Sequence, residues 1–314
     1  MPRSAPRRCS RPDLAAPLIW QSGIVPETQS LQPTFVSFPR GALSGQGEVV
    51  LVDREAGVVV TDATPFHPVD HTWPDQPGDS GVLSVGGDRV VVTEAVMAAL
   101  GDDGAFAVGT DIPVKRGADG WTWLVAHRIE GDIPASVTVG ATAVLEVDAA
   151  RRGGLSRGHT ACHLASLALD AALADLWHKE TGVDPLGNPD FEGRANQTSF
   201  IHADGSVDEY RLGKSLRKAG FDSAGFAESL QARQDRINEL LAGWVAAGGE
   251  SRIDVEGPSI TDRRTWRSVL PGGEVGFLCG GTHVRSLQAF ASITVALDLS
   301  DPQLLVMTTS VTPA

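Results

Sequence analysis

The chain has 314 residues, 42% of them hydrophobic and 21% charged, and a formal net charge of -13. No apolar run reaches the roughly 18 residues that a membrane helix needs, and three cysteines (Cys9, Cys162, Cys279) cannot staple a disulfide scaffold. Such a sparse, odd set of thiols suits a reducing compartment, so the expected location is cytoplasmic.

At about 100–200 residues per domain the length suggests two domains. Residues 1–30 read as a tail, partly disordered. Arg3, Arg7, Arg8 and Arg11 open it, but the apolar segment of a signal peptide is missing, because residues 14–20 are few and interrupted by Pro17. Residues 31–147 read as β. Strands are expected over 48–52 and 57–61, joined by a polar turn. A glycine turn at Gly86 and Gly87 leads to a valine-rich strand over 89–93. Further strands are expected over 121–126 and 136–147. Short strands with glycine turns suggest a small barrel or sandwich. Gly45 and Gly47 precede a strand, which argues against a dinucleotide loop.

The pattern changes near Val147, and residues 148–314 read as an α+β domain. Apolar residues at helical spacing predict a helix over 159–177. A loop over 181–195 is followed by a hairpin over 199–210 and a second helix over 224–247, stopped by Gly248 and Gly249. Strands are expected over 252–255, 288–297 and 303–308. The fold class is therefore α+β, a β-barrel-like domain followed by an α+β domain.

Two short motifs point to metal chemistry. His159 and His163 sit four apart on the first predicted helix, which puts both imidazoles on one face. Cys279 and His283 are also four apart, around Gly280 and Gly281, a pattern for a tight turn. Together they offer three nitrogens and one thiolate, a set suited to tetrahedral zinc. Cys162 reads as a small buried helix residue. His67 and His71 repeat the spacing, but Pro68 and Pro74 make that segment a loop. His127, His178 and His202 have no partner in sequence and read as structural or exposed.

The paired motifs, GHTACHL over 158–164 and CGGTHV over 279–284, resemble the second additional (editing) domain of alanyl- and threonyl-tRNA synthetases and the free-standing alanyl-tRNA editing proteins of the AlaX type. The lead-in VDAARR over 147–152 is similar too. A third stretch, TPFHPVDHTWPDQPGDSG over 64–81, matches the family's pocket loop at Gln76, Asp79 and Gly81. It departs where the family has paired glycines, since Pro74 and Asp75 stand there.

The resemblance implies a β-barrel followed by a zinc-containing editing domain, with one zinc per chain on His159, His163, Cys279 and His283. It implies an aminoacyl-tRNA deacylase that serves translation fidelity by hydrolysing the ester of mischarged alanine tRNA, seryl or glycyl, with a zinc-bound water as the catalytic group. A synthetase pocket separates such neighbours only about 10–200-fold, which is why a second site is needed. The substrate pocket would use Gln76, Asp79, Thr282, His67 and His71.

An acidic chain that binds tRNA needs a local basic strip. Arg151, Arg152 and Arg157 lead into the metal helix and are the expected tRNA contacts, ahead of the clusters around Arg211 and Arg263. No membrane and no obligate protein partner are expected. Two alternatives stay open: a metal-dependent hydrolase of another small ester or amide on the same fold, and a non-catalytic, zinc-stabilised nucleic-acid-binding module.

Overall fold

Runs of valine build the first half, because β-branched side chains suit a pleated surface, and those over 58–60 are buried on both faces. A computed structural model describes residues 31–314, so the tail expected over 1–30 lies outside the described residues. The strands run β1 (Phe35–Val36), β2 (Ser44–Asp53), β3 (Val58–Thr61), β4 (Ala63–Thr64), β5 (Gly81–Val85), β6 (Asp88–Gly101), β7 (Phe106–Val108), β8 (Trp121–Ile129) and β9 (Thr142–Val147). Seven of them pair in the order β5-β9-β2-β3-β8-β6-β7, and β6 also pairs with β5, so the pairing returns on itself. Their inward side chains, among them Val49, Val59, Leu83, Met97, Val125 and Leu145, form one buried cluster.

The strand expected over 136–147 is shorter than that. Residues before Thr142 form turns, closed by Val137 N–H to Pro134 O and Ala141 N–H to Thr138 O, both at 3.1 Å. Strand β6 is longer than expected, because its second half is paired along β8 out to Gly101 opposite Trp121.

Asp148 turns β9 into a helix. Its carboxylate accepts the N–H groups of Ala150 and Arg151, both at 3.0 Å, and so caps α1 (Ala149–Ala172). The helix starts ten residues before the expected 159. Gly153, Gly154 and Gly158 hide its first turns from a propensity reading. At Gly158 a Cβ would collide with the carbonyls of His202 and Gly205, so glycine lets the helix lie close on the following hairpin.

The second half continues with α2 (Glu192–Ala195), β10 (Asn196–His202), β11 (Gly205–Arg211), α3 (Lys214–Lys218), α4 (Ser223–Glu228) and α5 (Leu230–Ala247). Then come β12 (Ser251–Val255), β13 (Arg264–Leu270), β14 (Gly273–Leu278), β15 (Phe290–Asp301) and β16 (Leu304–Pro313). The helix expected over 224–247 is divided at Ser229, whose hydroxyl donates back to Gly225 O at 2.6 Å. Strands β13 and β14 had no clear sequence signal.

A four-stranded antiparallel sheet, β10-β11-β16-β15, carries α1 and α5, and β12-β13-β14 form a second sheet. Leu164, Leu167, Tyr210, Leu241, Trp266 and Met307 are in the cluster buried between them. The two halves are tied together by Val36 N–H to Pro258 O at 2.8 Å and Ile260 N–H to Thr34 O at 2.9 Å. Among the described residues no helix is long and apolar enough to cross a membrane.

Candidate metal centre and its cavity

Helix α1 and the turn after β14 bring four donor side chains together. The ligand atoms of His159, His163, Cys279 and His283 all lie within 4.8 Å of one another, the one such group among the described residues. Cys279 Sγ is 3.5 Å from His159 Nε2 and 3.2 Å from His283 Nε2. The turn is tight because of glycine: a Cβ at Gly281 would collide with the His159 ring and Gln76 Oε1. Behind the ligands, Trp266 and Phe277 lie at ring distances of 5.0 and 5.3 Å from His163.

Hydrogen bonds set the tautomers. Gln76 Oε1 accepts Thr282 N–H at 3.0 Å, which fixes the amide and lets the same oxygen accept His159 Nδ1–H at 2.7 Å. Gln76 Nε2 donates to Thr282 Oγ1 at 2.9 Å, and Ser156 Oγ donates to the same oxygen. Thr160 gives its hydroxyl proton to Ser156 O at 2.8 Å, so its oxygen accepts from His283 Nδ1, 3.2 Å away. With Nδ1 of both histidines holding the proton, both Nε2 atoms keep a lone pair toward Cys279.

This donor set fits a metal. His163 Nε2 is buried and has no hydrogen-bond partner in the protein, a costly state for a polar atom. Burial holds His163 down at about 4, and holds His159 and His283 well below the ordinary histidine value, with the neighbouring imidazoles adding to it. All three are therefore neutral and able to ligate at pH 7. Burial also pushes the Cys279 thiol up to about 12. A bound cation is the kind of neighbour that would ionise it. Three imidazole nitrogens and one thiolate suit zinc.

The cluster opens on a cavity of about 260 Å³, walled in part by Phe38, His67, Met97 and Ile260 and by Cys279 and His163. Asp70, Asp75, Arg116 and Arg264 are its charged residues. Asp70 pairs with Arg116 at 3.1 Å. Arg264 donates to Ser259 O and Ile260 O at 2.9 and 3.2 Å and lies over the Phe38 ring. His67 is held at about 4 by burial, so it is neutral. Burial pushes the Asp75 carboxyl up to about 6.

The expected pocket residues separate. His67 lines the cavity, while Gln76 and Thr282 stand behind the ligands as their hydrogen-bonded support. His71 turns away, its Nε2 2.9 Å from Val114 O. Asp79 is buried against Arg152, whose Nε donates to it at 2.8 Å, and it accepts His67 N–H at 2.5 Å. This corrects the expectation for Arg152. Its guanidinium is buried, and four of its five N–H groups are engaged by Asp79, Pro65 O and Ala42 O, so burial rather than exposure to phosphate defines its place. Arg157 is half-buried and paired with Asp204, and Arg151 is partly buried with one donor 3.3 Å from Gly78 O.

Sequence reasoning missed the supporting roles of Thr160 and Ser156. The signal was present, since Thr160 lies between the two histidines and Ser156 is one turn before it. Arg116 and Arg264 come to the cavity only through the tertiary fold. Cys162 faces Asp208 on β11, 3.4 Å away, and not the ligand cluster. His127 is buried between Thr64 Oγ1 and Val59 O.

The chain is similar to alanine-tRNA ligases. It is 33% identical over 229 residues to that of Bordetella petrii, and 29% identical over 242 residues to that of Bordetella pertussis. These matches cover 72% and 76% of the chain but only 21% and 22% of the ligases, so the chain spans about a fifth of their length. No protein-family model matches it.

Proposed function

We propose that the chain is a zinc-dependent hydrolase of mischarged aminoacyl-tRNA, acting in trans on seryl or glycyl esters of alanine tRNA. The observation that carries this reading is the convergence of His159, His163, Cys279 and His283 on one point at the wall of a small cavity. Similarity to a stretch of alanine-tRNA ligases supports the tRNA side of it. The cavity, about 260 Å³, is just below the roughly 300–1,000 Å³ of drug-sized sites, a fit for one small amino acid.

The reaction is hydrolysis of the ester between the amino acid and the terminal ribose. Water adds to the carbonyl carbon, the bond to the ribose oxygen breaks, and that oxygen leaves with a proton. Zinc, when bound, supplies Lewis-acid polarisation. The chain's own residues hold the geometry. Gln76 and Thr160 orient His159 and His283, and Gly281 permits the close turn. Gln76 Nε2 points at His67 Nδ1 over 3.4 Å, which leaves the other ring nitrogen of neutral His67 as a hydrogen-bond donor in a cavity-lining residue. Phe38, Met97 and Ile260 give the cavity an apolar wall.

The test is single-turnover deacylation of seryl-, glycyl- and alanyl-tRNA by protein of known zinc content. Hydrolysis of seryl- or glycyl-tRNA well above the buffer rate is expected, with alanyl-tRNA slower. Full zinc occupancy with no hydrolysis of any of the three would overturn the reading.

A further inference from the structure

The cavity beside the ligand cluster contains one acid that no arginine or lysine pairs with. Asp70 is matched by Arg116 and by the N–H groups of Thr72 and Trp73. Arg264 gives one nitrogen, Nη2, to two backbone carbonyls, and its buried Nε has no partner. Asp75 differs. Its Oδ1 accepts Gln76 N–H at 2.8 Å, and its Oδ2 lies 3.6 Å from His159 Nε2, the nitrogen that faces the ligand cluster. Among the described residues no lysine or arginine pairs with it.

Asp75 is also held in place. Ile201 N–H donates to its carbonyl at 2.8 Å, and the next side chain, Gln76, is buried between His159 and Thr282. A partly buried carboxylate fixed at a cavity wall with no arginine or lysine paired to it is costly to bury and keeps an oxygen free to accept from a ligand. The arrangement becomes favourable when the ligand brings the positive charge. An aminoacyl ester does so. Its α-nitrogen is two bonds, of about 1.5 Å each, from the carbonyl carbon, so with the carbonyl at the ligand cluster the ammonium is within reach of Asp75, whose Oδ2 is 3.6 Å from His159 Nε2.

We infer that Asp75 binds the free α-ammonium of the substrate and restricts the site to unblocked aminoacyl groups, rejecting acyl, hydroxyacyl and N-blocked esters. The inference rests on the proposed aminoacyl ester substrate and adds the basis of its selectivity. It also gives a use to the one position where the pocket loop bears an acid in place of glycine.

The test is calorimetric binding to the zinc-loaded full chain of two stable amides, 3'-deoxy-3'-(L-serylamino)adenosine and its counterpart lacking the α-amino group. Wild type and Asp75→Asn are compared, with zinc content measured in both. Wild type is expected to prefer the amino compound by about ten- to a hundredfold, as a charge-assisted hydrogen bond allows. Asp75→Asn is expected to bind both about equally and to keep its zinc. Equal binding of both amides by wild type overturns the inference and leaves the substrate class standing. Retained preference in Asp75→Asn, or loss of its zinc, also overturns it, the latter by making Asp75 part of the metal site. Binding of neither amide by zinc-loaded wild type overturns this inference and the aminoacyl reading together.

Discussion

Two pairs of histidines in this molecule share the same spacing and meet different fates. His159 and His163 lie on one face of α1 with ring centroids 4.8 Å apart, and both belong to the ligand cluster. His67 and His71 lie in the loop between β4 and β5. His67 packs edge-on against Phe38 at 5.0 Å, while His71 lies against Trp123 at 5.4 Å. A helix repeats direction about every four residues. A loop that contains Pro68 has no such repeat, so its two side chains part. Spacing brings donor atoms together only where the backbone is helical and a second element supplies the remaining donors.

The largest expected effect breaks this comparison directly. His163→Ala should reduce zinc from one equivalent to near zero and abolish deacylation, while His71→Ala leaves the metal in place. Elemental analysis of protein purified without chelator or a metal-affinity tag reads both; zinc loss in His71→Ala would put the wrong pair at the metal.

Arg152→Ala should come next, because it strands the buried Asp79 carboxylate beneath the His67 loop. Breaking a buried pair from one side costs about 3–5 kcal/mol, and urea unfolding measures it. A change below about 1 kcal/mol would place that arginine among surface residues, against its burial.

Thr160→Val sharpens the comparison, since it leaves every ligand but removes the acceptor for His283 Nδ1. Loss of such a supporting bond lowers metal affinity by about 10- to 100-fold, read by competition with a chromophoric chelator. Unchanged affinity would mean that packing by Trp266 alone orients the ring.

Acid should weaken the fold through the histidines outside the metal site. Burial holds His127 at about 4, against an ordinary value of 6.5. The unfolded chain takes up this proton first as pH falls, so stability is full above about 6.5 and declines toward 4. Urea midpoints at pH 7 and pH 5 test the sign, and a His127→Gln variant should flatten the dependence. The smallest effect belongs to Arg151→Ala. If that side chain meets one duplex phosphate, the slope of log affinity for tRNA against log salt should fall by about 0.9; an unchanged slope would move the tRNA face elsewhere.

Much of this was legible in the chain itself. Apolar runs marked β2 and β3, a valine-rich run marked the start of β6, and leucine spacing marked α1 beyond Gly158. The ligand set could be named because one helix and one glycine turn each display two donors locally. The early turns of α1 were hidden by glycines whose purpose, close contact with the β10–β11 hairpin, is not local. Strands β13 and β14 were hidden as well, since their alternation is interrupted by Arg264, Arg267 and Gly276, and pairing with each other gives them their form.

By itself the sequence determined which residues could bind metal, because i,i+4 spacing on a helix and a glycine turn are short-range geometry. Only the tertiary structure decided what surrounds them. Gln76 and Thr282 are 206 positions apart and Arg152 and Asp79 are 73 apart, so no local pattern could show that Gln76 braces a ligand or that Arg152 is buried. The same holds for Asp75. Its residue type is written in the chain, but that it stands at the cavity wall beside His159 with no arginine or lysine paired to it follows only from the fold.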